Sequence, residues 1–213
     1  MSDLFNNENI SDALEGPLAD KIRPKSLDEV IGQNHLFGEE GPLQNMITSG
    51  VFSSIILWGP PGVGKTTIAR LLAENSSSHF EQLSAIFTGV GDLKKVFEAA
   101  KIRHTNGKKT IIFVDEIHRF NKSQQDSFLP FLEDGTIILI GATTENPSFE
   151  LNSAILSRVQ ILVLERLSTP DLAKLLERAE IILGSQINID IDAKTELLKI
   201  AHGDGRALLN LIE

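Results

Sequence analysis

Residues 55–67 read IILWGPPGVGKTT. A short apolar run, Ile55–Trp58, leads into a turn rich in Gly and Pro, and Lys-Thr-Thr then opens a helical pattern. Gly59, Gly64, Lys65 and Thr66 fit the spacing G-x-x-x-x-G-K-[ST], the phosphate-binding loop called Walker A. The chemistry explains the spelling. A loop that wraps a polyphosphate turns its N–H groups inward, and glycine permits this without a Cβ clash. The helix that follows aims its positive end at the same phosphates. Lys65 can reach the β- and γ-phosphates and Thr66 can ligate Mg²⁺. The bland alternative is an ordinary Gly-Pro turn ahead of a helix. The apolar strand before the turn and the helix after it are the context that the phosphate-binding reading requires.

The rest of the composition sets limits. The 213 residues allow one sizeable domain, or one with a small appendage, and a hydrophobic fraction of 41 % is enough for a buried core. With 20 basic and 29 acidic residues the net charge is −9, so the chain is not a generally basic nucleic-acid binder, although local basic patches remain open to it. There is no cysteine, which excludes disulfides, thiol catalysis and cysteine-based zinc sites and suits a reducing compartment. The first sixteen residues, MSDLFNNENISDALEG, lack a basic-then-apolar signal pattern. The longest apolar runs fall far below the ~20 residues of a membrane span. The expectation is a soluble cytoplasmic protein with no membrane partner.

Residues 1–16 are polar and acidic without periodicity and read as a flexible tail. Residues 17–32, PLADKIRPKSLDEVIG, read as a strap and a short helix, and 41–50 offers a further short helix. From Ile55 onward strand and helix alternate. Strands are predicted at Ile55–Trp58, 81–86, Thr110–Asp115, 137–141 and 159–164. Helices are predicted at Lys65–Asn75, 92–103 and 123–133. Such alternation predicts an α/β fold, a parallel sheet with helices on both faces and ligands at the carboxyl ends of its strands. After Leu164 the strands stop, and Thr169–Leu183, 192–202 and 204–213 carry helical spacing. Thr169-Pro170-Asp171 is a good helix start, so Ser168 marks the boundary between an α/β subdomain, 17–167, and a small helical lid, 168–213. The sequence stops inside its last helix, the pattern expected of an incomplete lid and a truncated chain.

Other candidate residues cluster at strand ends. Thr110–Asp115 with Glu116, TIIFVDE, is an apolar strand closing in two carboxylates 50 residues after Lys65. Asp115 can hold Mg²⁺, commonly through water, and Glu116 can polarise an attacking water; a solvated acid pair is the alternative. In 138–146, ILIGATTEN, Thr143 and Thr144 can bond that water or a γ-phosphate, or simply cap the strand end. Arg158 and the Arg206 of Gly-Asp-Gly-Arg (203–206) follow short helical or loop stretches, and each alone reads as a surface arginine; Asp204 reads as a helix cap. His118, in His-Arg-Phe-Asn-Lys, lacks nearby partner ligands for a metal site. TGVGDLKK, 88–95, reads as a pore-facing loop with two basic residues, Lys94 and Lys95, or as a solvated helix start.

Together these elements resemble an AAA+ ATPase. The matching runs are GPPGVGKT (59–66) for Walker A, IIFVDE (111–116) for Walker B, GATTEN (141–146) for sensor 1, LSR (156–158) for the arginine finger and GDGR (203–206) for sensor 2. Longer runs, 17–38, 115–135 and 141–158, resemble the RarA/MgsA family, which includes the eukaryotic Werner helicase-interacting protein. The resemblance implies a DNA-dependent ATPase, with ATP and Mg²⁺, that acts at stalled replication forks and in replication-linked recombination and repair. It implies DNA partners (forks, single-stranded ends or gaps), single-stranded-DNA-binding protein, a homotetramer and a nucleoid-associated place in the cytoplasm. By the same resemblance Gly59, Pro60, Pro61, Gly62, Val63, Gly64, Lys65, Thr66 and Thr67 hold the phosphates, and Thr66 and Asp115 hold Mg²⁺. Glu116 activates water and Thr144, rather than Thr143, is sensor 1. Arg158 reaches a neighbouring subunit's γ-phosphate, and Arg206 folds the lid onto its own subunit's nucleotide. Arg23, Pro24 and Ile31 lie near the adenine.

The chain departs from the family at Gly205, where Ala is frequent, and at Gly91, where Lys is frequent; the second weakens a DNA role for that loop. The alternatives are a clamp-loader or RuvB-like branch-migration ATPase, or a nucleotide-switched scaffold with little turnover.

Overall fold

The computed structural model describes residues 17–184, 187 and 189–213. The expected tail, 1–16, lies outside the described residues. A helix, α1 (Leu18–Lys21), a 3₁₀ turn at Leu27–Glu29, α2 (Asn34–Phe37) and α3 (Pro42–Ser49) precede the first strand. Then follow β1 (Ile55–Trp58), α4 (Lys65–Asn75), β2 (His79–Ser84), α5 (Val90–Thr105) and β3 (Thr110–Asp115). A 3₁₀ turn at Ile117–Arg119 leads to α6 (Lys122–Asp126), α7 (Leu129–Glu133) and β4 (Ile137–Thr143). After α8 (Pro147–Glu150), α9 (Ser153–Leu156) and β5 (Gln160–Val163) come α10 (Thr169–Leu183), α11 (Ile191–Ala201) and α12 (Gly205–Ile212).

The five strands form one all-parallel sheet in the order β2-β3-β4-β1-β5. Alternate residues serve opposite faces, as the two-residue strand period demands. Ile55, Leu57, Ile111, Phe113, Ile138 and Ile140 meet α4 through Ile68, Ala69 and Leu72. Ile56, Ile112, Val114, Ile137 and Leu139 meet Leu93 and Phe97 of α5, with Phe128 and Ile155 beyond. A sheet covered on both faces explains why β3 and β4 are apolar almost throughout.

Most predicted ends shift by one or two residues, and two differences have a physical cause that can be named. The strand predicted at 81–86 runs from His79 to Ser84 instead. The Ala85 N–H still donates to the Asp115 carbonyl, but the N–H groups of Phe87 and Thr88 turn back onto the Ser84 carbonyl and end the strand. Ile86 and Phe87, apolar enough to read as strand, are left exposed. The single helix predicted at 123–133 is two, α6 and α7. Pro130 has no N–H to give to the turn before it, so the helix stops and restarts with the proline in its first turn.

The lid has its own core of Leu167, Leu172, Leu176, Leu198, Ala201 and Leu208. Its first helix, α10, starts at a reciprocal cap. The Ser168 side chain accepts from the Asp171 N–H, and the Asp171 carboxylate accepts from the Ser168 N–H. The strap packs on this lid, with Leu18 and Ile22 against Ala179 and Leu209.

Phe128 is fully buried, edge-on to Phe97 at 5.0 Å between ring centres and tilted on Phe120 at 5.9 Å. Phe128→Ala is expected to lower stability by ~3–5 kcal/mol, read as a fall in the urea midpoint with the slope unchanged.

Candidate active site

The ends of β1, β3 and β4 share one edge of the sheet because all three strands run the same way. At the end of β1 the Gly59 N–H donates to the Thr143 carbonyl at 3.1 Å, which joins the loop to the end of β4. Any Cβ on Gly59 would lie 2.5 Å from the Leu164 carbonyl oxygen. Gly62 and Gly64 take left-handed φ values of 69° and 97°, which a side chain would strain. Lys65 opens α4 and folds back over the loop. Its ammonium donates to the carbonyls of Gly59 at 2.7 Å and Pro60 at 2.8 Å, and the residue as a whole is only 8 % exposed. Burial pulls its pKa below the ordinary lysine value, while the nearby carboxylates of Glu116 and Asp115 work against that fall. A buried cation flanked by backbone dipoles is a ready partner for phosphate oxygens.

Lid and loop meet at Gly62. The Gly205 N–H donates to the Gly62 carbonyl at 3.1 Å, and Asp204 Oδ1 lies 1.7 Å from where a Gly62 Cβ would stand. The Asp204 carboxylate also caps α12, accepting from the Ala207 N–H at 2.9 Å. Arg206, in the first turn of α12, is thereby brought to the cleft wall.

The cleft, about 520 Å³, runs between strap, loop and lid. One end is polar, with Lys65, Thr66, Asp115, Glu116, Thr144 and Arg206 on its wall. The other is apolar, with Ile22, Pro24, Ile31, Leu167, Leu175 and Leu209. Strap and lid are pinned across this end by Arg178, which donates to the Glu29 carbonyl at 3.0 Å and pairs with the Glu29 carboxylate. The Lys25 N–H and this guanidinium hold the Glu29 carboxyl below its usual range. A largely apolar slot, edged by Arg23 and Arg178, that joins a cationic, hydroxyl- and carboxylate-lined end has the form of a nucleotide site, base at one end and phosphates at the other. Thr66 and Asp115 offer a hydroxyl and a carboxylate oxygen, a donor set suited to Mg²⁺, which keeps several of its own waters.

Arg23, Pro24, Ile31, the residues Pro61 to Thr67, Asp115, Glu116, Thr144 and Arg206 all line this cleft. Gly59 and Pro60 line a smaller pocket behind the loop, beside Trp58 and Arg166, and touch the site through their carbonyls on Lys65. Thr143 is fully buried beneath Thr144, its hydroxyl accepting from the Glu145 N–H at 3.0 Å. Arg158 is not brought to the cleft: it donates to the Ala154 carbonyl at 2.8 Å and the Ser157 hydroxyl at 2.9 Å, and pairs with Glu133.

Three contributors escaped sequence reasoning. Gln33 makes a two-way bond to the backbone of Glu165, donating to its carbonyl at 2.7 Å and accepting from its N–H at 3.0 Å, and so holds the strap to the sheet-to-lid crossing. Arg178 had no signal beyond its place on a helix. His118 stands two residues after Glu116, and that spacing, within one tight turn, was the available clue.

Residues 55–167 match the family described as ATPase family associated with various cellular activities (AAA). The chain belongs to that family. It is 46 % identical, over 93 % of its length, to a Haemophilus influenzae protein named replication-associated recombination protein A, of which it covers 46 %. It is 44 % identical over 92 % of its length to ATPase WRNIP1 of Dictyostelium discoideum, of which it covers 23 %. The chain thus spans about half the length of the first of these relatives and less of the second. Both likenesses bear out the resemblance that the long motif runs carry. Among solved structures, the Thermotoga maritima protein titled RuvB Holliday junction branch migration motor superposes with a TM-score of 0.74 at 30 % identity, over 90 % of this chain and 64 % of that one. The AAA+ α/β fold with its C-terminal helices is shared with that motor, and family membership implies nucleotide use.

Gly62→Ala is expected to push Asp204 from its seat and strain the loop. The measured result should be faster hydrogen exchange in α12 and weaker binding of a fluorescent ATP analogue, with β3 and β4 exchanging as in the parent.

Proposed function

We propose that this chain is the ATP-hydrolysing part of a DNA-dependent ATPase that acts at stalled replication forks and in replication-linked recombination. The observation that carries the reading is the division of the two arginines: Arg206 lies on the cleft wall with Lys65, Thr66, Asp115 and Glu116, whereas Arg158 lies outside it. An ATPase completed by a second subunit needs that division. In this reading residues 17–167 form the nucleotide-binding subdomain and 168–213 the lid, and the assembly is a homotetramer in the cytoplasm, close to the nucleoid.

The base of ATP enters the apolar end beside Arg23, Pro24 and Ile31. Lys65 and the loop N–H groups hold the β- and γ-phosphates. Thr66 and Asp115 would hold Mg²⁺, which neutralises charge on the phosphate oxygens when bound. Glu116 takes a proton from the attacking water, and Thr144 orients that water or the γ-phosphate. Arg206 meets the phosphates from its own lid, and Arg158 of the next subunit meets the charge that develops on transfer. Phosphoryl transfer asks for positioning and charge neutralisation above all, and this set supplies both. DNA forks, single-stranded ends or gaps, and single-stranded-DNA-binding protein are the partners of this reading, which the relative named for replication-associated recombination supports in its general direction. A RuvB-like branch-migration motor is the second reading, favoured by the shared fold. Steady-state ATPase rates on single-stranded, duplex and forked DNA separate the two, and a rate near zero on all three would leave only a nucleotide-switched scaffold.

Glu116→Gln is expected to bind ATP with parent affinity and to slow hydrolysis by about 10²–10⁴-fold, because the site keeps its cations and loses only its base. Single-turnover assays on that variant check it, and parent turnover would reassign the base. Arg158→Ala is expected to slow the assembled enzyme by ~10³-fold or more and to leave the ATP affinity of isolated subunits unchanged. Mixing it with Lys65→Ala subunits tests the in-trans assignment, since each variant then repairs a different half of a shared site.

A further inference from the structure

His118 occupies the space between the ends of β3 and β4. Its Nε2 lies 3.3 Å from Glu116 Oε2, and its Nδ1 lies 2.9 Å from Thr143 Oγ. The ring is 9 % exposed and the Glu116 side chain 28 %, so the ring is held from within while the carboxylate keeps an open side. The 3₁₀ turn Ile117–Arg119 sets the ring in place: Glu116 enters it in the left-handed region at φ 54°, and the Arg119 N–H closes it on the Glu116 carbonyl at 2.8 Å.

With the ring neutral, counting protons gives the network a direction. Nε2 meets the Glu116 carboxylate as a close polar contact, and a carboxylate, which has no proton to give, favours the tautomer with its hydrogen on Nε2. In the neutral ring Nδ1 is then an acceptor. The Thr143 hydroxyl donates its single proton there and uses its lone pairs for the Glu145 N–H at 3.0 Å. The Glu145 carbonyl, at 3.2 Å from the same hydroxyl, is the longer of the two possible acceptors. Two hydrogen bonds run from the Glu145 N–H through Thr143 to the imidazole, and the ring's far nitrogen then faces Glu116.

We propose that His118 is a positioning residue for hydrolysis, which ties the Glu116 carboxylate to the strand end that carries Thr144. One carboxylate oxygen is occupied by the ring, and the other is left for water. Thr143 and Thr144 are consecutive at the end of β4, so a phosphate that moves Thr144 moves Thr143, and through the ring it moves Glu116. Detection of the γ-phosphate and placement of the base are in this way a single rigid-body event. The inference rests on the reading of Glu116 as the base.

The test is a cycle of His118→Ala and Glu116→Gln in the intact protein, with ATP affinity and single-turnover hydrolysis measured separately. His118→Ala is expected to lower the hydrolysis rate by about 10–100-fold, the cost of a base misplaced by about an ångström, with the affinity for ATP unchanged. His118→Gln, whose amide can donate to the carboxylate, is expected to recover part of that rate. In the Glu116→Gln background the same His118→Ala change is expected to cost nothing further, since no base remains to be positioned. A parent rate in His118→Ala overturns the proposal. So does an equal fractional loss in both backgrounds, or a loss of affinity in step with the rate, since either makes the ring a prop for the fold. Parent turnover in Glu116→Gln by itself overturns the reading of the base, whereas a stalled Glu116→Gln beside a fully active His118→Ala overturns this inference alone.

Discussion

The approach of the lid to the phosphate-binding loop at Gly62 is the contact on which the cleft depends. A peptide N–H from Gly205 and the carboxylate of Asp204 reach the loop only because Gly62 has no side chain. That carboxylate also begins α12, and α12 carries Arg206. The loop that seats Lys65 therefore also seats the helix that carries the opposing arginine, through backbone contacts at Gly62. The apolar end follows from the same docking, since Leu209 of α12 and Leu175 of α10 roof the slot that the strap floors.

The charges in the cleft are arranged in advance. Lys65 is buried at a cost that shows in its lowered pKa, and the carboxylates of Asp115 and Glu116 partly offset that cost. Bringing phosphates and a divalent cation into such a site exchanges one set of fixed partners for another. The protein dipoles need little reorganisation, and this is where electrostatic sites gain most over water. The chain as a whole is acidic, so an anionic nucleotide is drawn in by these local cations and by the α4 terminus, against the net charge.

The strand-loop-helix at 55–67 was legible because its geometry is local: a tight turn, a cation one residue past the second glycine, and a helix start all appear as letters in order. Strands β1 and β3 were legible to the residue because burial on both faces leaves only apolar residues. The order β2-β3-β4-β1-β5 could not be read so directly, as it depends on crossovers between distant segments. Ile86 and Phe87 misled for a physical reason: the ladder ends when two N–H groups turn back on Ser84, and apolar character alone does not report that turn. The helix break at Pro130 was available in the letters and was hidden by a good apolar pattern on either side. At the site, residues on one sheet edge were found by motif. Gln33 and His118 act by bonding to a segment far away in sequence or to a strand one place over, and no spacing rule announces such a partner.

The strap is the nearest neighbour of the lid, although the two are separated by the whole sheet in sequence. The Leu18 N–H donates to the Glu213 carboxylate at 3.2 Å across a separation of 195 residues, Leu18 and Ile22 pack on Ala179 and Leu209, and Arg178 holds Glu29. In mechanical terms the strap and the lid make one lever, doubly tied at the crossing where the lid leaves the sheet. A single hinge lets the lid swivel freely about the Leu164–Ser168 crossing. The bond from Gln33 to that same crossing adds a second tie there and restrains the swivel.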